Sequence, residues 1–139
     1  MKQMITAQWM GDMAFETELN GHKLVMDAAE EGGGHDAGPR PKILMLAALA
    51  GCTGMDVVLI LRKMRVEVVK CNVSVEADVT EEHPKHYNRM HVIYEFTGKD
   101  LPLEKLEKAV RMSEETYCGV GAVYRKAIEV TSEIRMIEG

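Results

Sequence analysis

One long apolar segment constrains this fold more than any other feature. Residues 43–61 are all apolar with four exceptions, which are Gly51, Thr53, Gly54 and Asp56. Such a segment approaches the ~20 residues that span a bilayer, but an aspartate and two glycines in its middle argue against a membrane partner. A helix that is apolar on all sides is buried on all sides. We therefore predict a long buried central helix over about residues 42–65. A second subunit is expected to cover part of it and to pack closely against Gly51 and Gly54, which have no side chains.

Alternating apolar and polar residues predict strands on both sides of this helix. Three strands precede it, at residues 5–9, 13–19 and 22–26, with a tight hairpin turn at Asn20-Gly21. Two strands follow it, at 71–79 and 90–96, then a helix that starts at Pro102 and a last strand at 128–136. The inner stripe of this second helix is predicted to be Leu103, Leu106, Val110, Ser113 and Tyr117.

The resulting order, βββ-α-ββ-α-β, predicts an α+β fold, with residues 1–139 forming a single domain. The segment 28–38 contains three consecutive glycines and no apolar anchor, so it is predicted to be a mobile loop.

Charge and cysteine content narrow the class of function. The net charge of −5 is spread along the chain without a Lys/Arg cluster, so we expect no nucleic-acid partner. The N-terminal residues lack the apolar core of a signal peptide, which predicts a cytoplasmic protein. Three cysteines without C-x-x-C spacing argue against a disulfide framework and against a structural zinc site. We expect no metal and no cofactor.

Each cysteine has an ordinary structural interpretation when it is considered alone. Cys52 lies among small residues in the apolar segment and fits a buried core residue better than a nucleophile. Cys118 ends the second helix before Gly119, where a mobile sulfur and a simple helix end are equally plausible. Cys71 lies on the apolar face of its strand and is interpreted as core. The five histidines leave a Cys–His hydrolase open, although no local nucleophile signature supports one.

A reactive cysteine needs a cation that favours its thiolate. Cys52 lies in the middle of the predicted helix, beyond the reach of the N-terminal helix dipole. The nearest cations on the N-terminal side are Arg40 and Lys42. Because about 15 Å of helix separates Lys42 from Cys52, these side chains could support the thiolate only from a partner subunit whose long helix crosses this one.

Two groups of residues resemble a known family. The first group is Pro41, Ala47-Ala48, Gly51-Cys52, Asp56-Val57-Val58 and Ile60-Leu61, and the second is Ser113, Tyr117-Cys118 and Val120. The pattern resembles the OsmC/Ohr superfamily of osmotically inducible and organic-hydroperoxide-resistance proteins, and it is most similar to the OsmC-like branch. The resemblance covers nearly the whole chain, and a mid-helix cysteine paired with a cysteine after a tyrosine is its most specific feature.

The resemblance implies an intertwined homodimer with the OsmC/Ohr-like fold and two active sites at the interface. It implies that Cys52 is the peroxidatic thiolate, which becomes a sulfenic acid on attacking an organic hydroperoxide, and that Cys118 then closes a disulfide. A dithiol, such as a lipoyl group, would restore the thiols.

The chain departs from the family in its charged residues. Family peroxidases use an N-terminal Arg and a Glu near the first cysteine, whereas this chain has no arginine before Arg40 and carries Lys42 where the Glu aligns. We therefore take Arg40 or Lys42 as the candidate supports of substrate and thiolate. The departure keeps two alternatives open on the same scaffold: a non-catalytic dimer that binds a small molecule or lipid, and a redox sensor.

Overall fold

The first strands form a small antiparallel sheet. A computed structural model describes all residues from 1 to 139, and its contacts divide the chain into two compact units, Met1–Met45 and Leu46–Gly139. In the first unit, strands β1 (Ala7–Trp9), β2 (Phe15–Leu19) and β3 (His22–Met26) pair in chain order. Asn20 and Gly21 have φ of 52° and 84°, as a two-residue hairpin turn requires. The predicted meander is confirmed, while the single domain over 1–139 stays a prediction.

The glycine-rich segment after β3 is held by one carboxylate, and its mobility stays a prediction. Asp27 is 3% exposed, and it accepts hydrogen bonds from the backbone N–H groups of Ala28 (2.8 Å), His35 (3.0 Å) and Ala37 (3.1 Å). These bonds lower the pKa of Asp27. A short 3-10 turn, Glu30–Gly32, completes the segment. The sequence pattern missed this order because its anchor is a single polar residue.

The long apolar segment is helical, as predicted. A 3-10 turn, Pro41–Ile43, leads into helix α1 (Leu44–Lys63). Within the chain only one face of α1 is buried, because Met55 is 77% and Leu59 48% exposed. The span Pro41–Lys63 has the length and composition of a membrane helix. Its Thr53 is hydrogen-bonded inside the folded core, so one face of α1 belongs to the core of this fold.

A second sheet carries the core of the larger unit. Strands β4 (Lys70–Val79) and β5 (Tyr87–Gly98) are antiparallel, and β6 (Glu129–Glu138) pairs in parallel with β5. The buried cluster combines side chains of α1, β5 and the following helix, including Leu49, Val57, Tyr94, Phe96 and Leu106. The predicted α+β class and the order of its strands and long helices are confirmed.

The parallel pairing of β5 and β6 requires a crossover, and the crossover differs from the prediction. Helix α2 (Leu103–Met112) is followed by one π-helical turn, Ser113–Tyr117, and by a short helix α3 (Gly119–Arg125) that the sequence analysis missed. The predicted inner stripe is partly wrong, since Leu103 and Tyr117 are 44% and 58% exposed. The wider π turn shifts the phase of the helix after Ser113, which moves Tyr117 off the inner face.

Candidate active site

The fold brings Cys52 and Cys118 together. Cys52 lies in the middle of α1 and is half-buried, whereas Cys118 lies between the π turn and α3 and is 3% exposed. Their Sγ atoms and a carboxylate oxygen of Asp56 all lie within 4.8 Å of one another. Only modest side-chain motion separates this arrangement from disulfide geometry. Two sulfurs that are remote in the sequence therefore share one site.

The backbone after α2 fixes the position of Cys118. Its N–H donates to the carbonyl of Ser113 at 2.8 Å, which closes the π turn. Its Sγ caps α3 and accepts a hydrogen bond from the N–H of Gly121 at 3.3 Å. Burial first, and then nearby Cys52 and Asp56, raise the pKa of the Cys118 thiol to about 11, although the hydrogen bond from Gly121 opposes them. Cys118 is therefore a neutral thiol near pH 7.

A chain of buried hydroxyl groups ends at Asp56. Ser113 Oγ donates to Asp56 Oδ2 at 3.0 Å, Thr53 Oγ1 lies 2.7 Å from Ser113 Oγ, and Tyr94 OH lies 2.8 Å from Thr53 Oγ1. Since the Ser113 hydroxyl has one proton and donates it to Asp56, Thr53 must donate to Ser113, and Tyr94 must donate to Thr53. Burial raises the pKa of Tyr94 strongly, which keeps it a donor. The chain fixes the Asp56 carboxylate beside the two sulfurs.

The role of these polar groups is not predicted from the sequence, although some of them stand out there. Thr53 and Asp56 are polar residues three positions apart in an otherwise apolar helix, so they lie on one face of it. Ser113 was placed on the inner stripe of the second helix only as a core position. A polar group on a buried face needs a hydrogen-bond partner. Polar residues at these predicted buried positions therefore indicate a hydrogen-bonded network, and this was the signal in the sequence.

An arginine–glutamate pair lies beside Cys118. Arg125 Nη2 donates to Glu114 Oε2 at 3.2 Å, and Nη1 donates to the Glu114 carbonyl at 3.2 Å. Both side chains are largely buried, at 29% and 20% exposed. A Cβ on Gly121 would lie 2.5 Å from Arg125 Nη1 and 3.4 Å from Cys118 Sγ. The missing side chain at Gly121 thus lets a guanidinium lie close to the sulfur.

Comparisons with known proteins place this site in a family. Residues 33–133, which include both cysteines and Asp56, match the family model of OsmC-like proteins. The chain belongs to the OsmC-like family. It is 33% identical to protein YhfA of Escherichia coli strain K12 over 131 residues, which cover 94% of this chain and 95% of YhfA.

Solved structures show the same OsmC-like fold. A hypothetical protein from Aquifex aeolicus VF5 is 24% identical with a TM-score of 0.87, covering 100% of this chain and 98% of that one. The organic hydroperoxide resistance protein OhrB of Bacillus subtilis is 18% identical with a TM-score of 0.68, covering 97% and 98%. At these identities the two structures establish the fold alone. The reaction of this chain has to be inferred from its own residues.

The remaining residues singled out from the sequence lie in simpler surroundings. Arg40 belongs to the N-terminal unit, where its Nη1 donates to Asp36 Oδ1 at 2.6 Å and to the Gly38 carbonyl at 3.0 Å. Lys42 is half-buried in the 3-10 turn before α1. Cys71 packs against the core from β4, and burial raises its pKa, which agrees with its interpretation as a core residue of this OsmC-like domain.

Proposed function

We propose that this OsmC-like protein is a thiol peroxidase that reduces organic hydroperoxides through Cys52 and Cys118. The observation that carries the proposal is the approach of the two sulfurs within one site. The two thiols are unequal, as the two roles require. Cys118 is buried and held neutral, whereas Cys52 is the more accessible sulfur. We therefore assign the first attack to Cys52 and the resolving step to Cys118.

The reaction balances with these two residues and a dithiol. The Cys52 thiolate attacks the terminal oxygen of ROOH, the O–O bond breaks, and the departing alkoxide takes a proton to leave as ROH. Cys52 becomes a sulfenic acid. Cys118 then attacks the Cys52 sulfur, which forms the disulfide and releases water. An external dithiol, such as a lipoyl group, reduces the disulfide and becomes oxidised itself.

Charged groups of the same site support both steps. Arg125 places a guanidinium near Cys118, and Glu114 occupies only two of its five N–H donors. Its free donors are available to a peroxide oxygen or a thiolate. Asp56 is placed to accept the proton that Cys118 must lose when it closes the disulfide. Arg40 or Lys42 of a partner subunit remains the second candidate source of positive charge.

The proposal includes a cytoplasmic homodimer. The outer face of α1 exposes Met55 and Leu59, and a groove of about 590 Å³ runs along it, lined by Gly54, Arg62 and Val73 among others. Large exposed apolar surfaces of this kind mark interaction sites. However, Gly54 already contacts its own chain, because a Cβ there would lie 3.3 Å from a Val73 methyl. Of the two glycines, only Gly51 is open to a partner.

Peroxide consumption with defined thiol loss tests the proposal. Purified protein in a metal chelator is mixed with cumene hydroperoxide and dihydrolipoamide. We expect turnover by the wild type and by Cys71→Ser, which changes the one cysteine outside the site. Cys52→Ser is expected to be inactive. With dihydrolipoamide left out, Cys118→Ser should undergo one oxidation and stop at a sulfenic acid that a dimedone reagent traps. Peroxide consumption by Cys52→Ser at the wild-type rate would contradict the assignment.

One observation favours a second function, a non-catalytic binding protein. The N-terminal unit has a cavity of about 570 Å³ with an almost wholly apolar lining that includes Met13, Phe15, Met26 and Pro41, which is a typical size for a small-molecule site. An apolar ligand that co-purifies with the protein, together with a Cys52 inert to alkylation at neutral pH, would favour this function. Fast stoichiometric oxidation without turnover would instead indicate a redox sensor.

A further inference from the structure

We propose that the reduced site binds one zinc-like divalent cation through Cys52, Asp56 and Cys118. The inference goes beyond the peroxidase proposal and does not depend on it, since it requires only the reduced thiols and the carboxylate. The local spacing of the cysteines argued against a structural zinc site. Sequence spacing of this kind disfavours only sites built from neighbouring cysteines, whereas here the tertiary fold brings the ligands together.

The geometry suits a tetrahedral cation. Zinc binds sulfur at about 2.3 Å and carboxylate oxygen at about 2.0–2.2 Å, so its ligand atoms lie roughly 3.5–3.8 Å apart. The three candidate atoms here lie within 4.8 Å of one another, which small side-chain rotations can close. Cys52 and Asp56 are four residues apart on α1 and face the same side of it. Cys118 approaches from the start of α3.

Two of the three candidate ligands are already oriented by an outer shell. Ser113 Oγ donates to Asp56 Oδ2 at 3.0 Å and is itself held by Thr53. The N–H of Gly121 donates to Cys118 Sγ at 3.3 Å. Metal ligands in proteins are typically fixed by such hydrogen bonds, whose partners contribute strongly to affinity. Thr53, Ser113 and Cys118 are buried, whereas Cys52 and Asp56 are half-buried, so the site lies at the edge of the core and not on an open surface.

The donor set selects the class of cation. Two thiolates and one carboxylate favour zinc or its softer analogue cadmium over magnesium and calcium, which prefer oxygen ligands alone. With both thiols deprotonated the cluster would carry three negative charges, and the single positive charge of the nearby Arg125, which it shares with Glu114, cannot balance them. A divalent cation offsets two of the three charges. Three protein ligands leave a fourth position for water or a substrate, as in catalytic rather than structural zinc sites.

Cation binding and disulfide formation exclude each other. Binding displaces the two thiol protons to solvent and involves no electron transfer. A Cys52–Cys118 disulfide removes both sulfur ligands together. The reduced protein should therefore bind the cation, and oxidation should release it.

The test is a titration of the reduced full-length protein with Cd²⁺ or Zn²⁺ after chelator removal, without air and without peroxide. We expect one ion per chain by calorimetry, and a sulfur-to-cadmium charge-transfer band in the ultraviolet. The same protein oxidised to its disulfide should show neither signal, and this comparison needs no variant. Cys52→Ser and Cys118→Ser should lose the band. Ser113→Ala should bind about 10–100-fold more weakly, as expected for the loss of an outer-shell partner.

Cys71→Ser is the matched control and should bind like the wild type. Asp56→Asn should weaken binding while keeping the shape of the side chain, with the melting temperature as a check on folding. The inference is overturned if the reduced wild type gives no band, if the band survives in either site-cysteine variant, or if the disulfide form binds equally well. Because the peroxidase assay is run in the presence of a metal chelator, its result does not depend on cation binding. Either proposal can therefore be refuted without affecting the other.

Discussion

The hydroxyl chain that ends at Asp56 can be tested by removing its central group. Thr53 is 1% exposed, and its Oγ1 joins Tyr94 OH at 2.8 Å to Ser113 Oγ at 2.7 Å. Thr53→Val replaces the hydroxyl with a methyl group of similar size, so it opens little cavity and keeps the β-branched shape. It removes two buried hydrogen bonds and leaves the Tyr94 O–H without its acceptor.

The expected cost follows from those losses. A buried donor without a partner costs about 1–3 kcal/mol, and a hydrogen bond contributes about 0.5–1.5 kcal/mol net. Ser113 keeps its bond to Asp56, so we expect a loss of about 2–3 kcal/mol in the free energy of unfolding. In a chain of this size, 1 kcal/mol corresponds to about 3–4 °C in melting temperature. The melting temperature of Thr53→Val should therefore fall by about 6–12 °C.

The assay is urea and thermal unfolding of the reduced protein at fixed protein concentration, because oligomerisation would make stability depend on concentration. Thr116→Val, at an exposed position of the π turn, is the matched control and should change stability by about 0.5 kcal/mol or less. Adding Tyr94→Phe to Thr53→Val removes the stranded hydroxyl. The double variant should then lose about 1 kcal/mol less than the sum of the single variants. If Thr53→Val matches the control, or the two effects simply add, the chain of donors described here is wrong.

Three further predictions concern charge, acid stability and assembly. Gly121→Ala should slow peroxide consumption with little loss of stability, because the new Cβ would lie 2.5 Å from Arg125 Nη1 and displace the guanidinium. Gly119→Ala in the same short helix, where a Cβ meets nothing within 4 Å, should leave the rate unchanged, and equal rates for both variants would exclude Arg125 from the reaction. Backbone N–H groups lower the pKa of Asp27 in the folded protein below its ordinary value of 3.8. The ionised carboxylate therefore stabilises the fold at any pH above 3.8, and this stabilisation is lost as the pH falls through the lowered pKa of the folded state. Asp27→Asn should therefore be less stable than the wild type at neutral pH and approach it in acid, and a gap in unfolding free energy that stays constant with pH would contradict this. Met55→Glu places a charge at a 77% exposed position of α1 and should convert a dimer into folded monomers by analytical ultracentrifugation, whereas an unchanged mass would exclude that face from the interface.

Elements with a strong local pattern were predictable from the sequence. The apolar run predicted α1 to within two residues at each end, since 42–65 was expected and Leu44–Lys63 is observed. Strand alternation and the Asn20-Gly21 turn predicted the meander. In these cases the signal is contained in neighbouring residues, because burial imposes a period of two on a strand and a continuous apolar run on a helix packed on several sides. Cys52 and Cys118 could also be paired from the sequence, through the family resemblance and not through any local pattern.

The chemical surroundings of the cysteines required the tertiary structure. Asp56 meets Ser113 across 57 positions of sequence, and Arg125 reaches Glu114 only because a π turn and a short helix fold back between them. The periodic pattern of apolar residues in the sequence does not predict such contacts, because they depend on how α1 crosses the connection between β5 and β6. The strands and the two longer helices follow from the local sequence, since each depends on the burial pattern of neighbouring residues, whereas the π turn and α3 do not. Which charged group lies beside which sulfur depends on the tertiary structure. A shift of a few ångströms in the position of a helix would move a carboxylate such as that of Asp56 away from the two sulfurs.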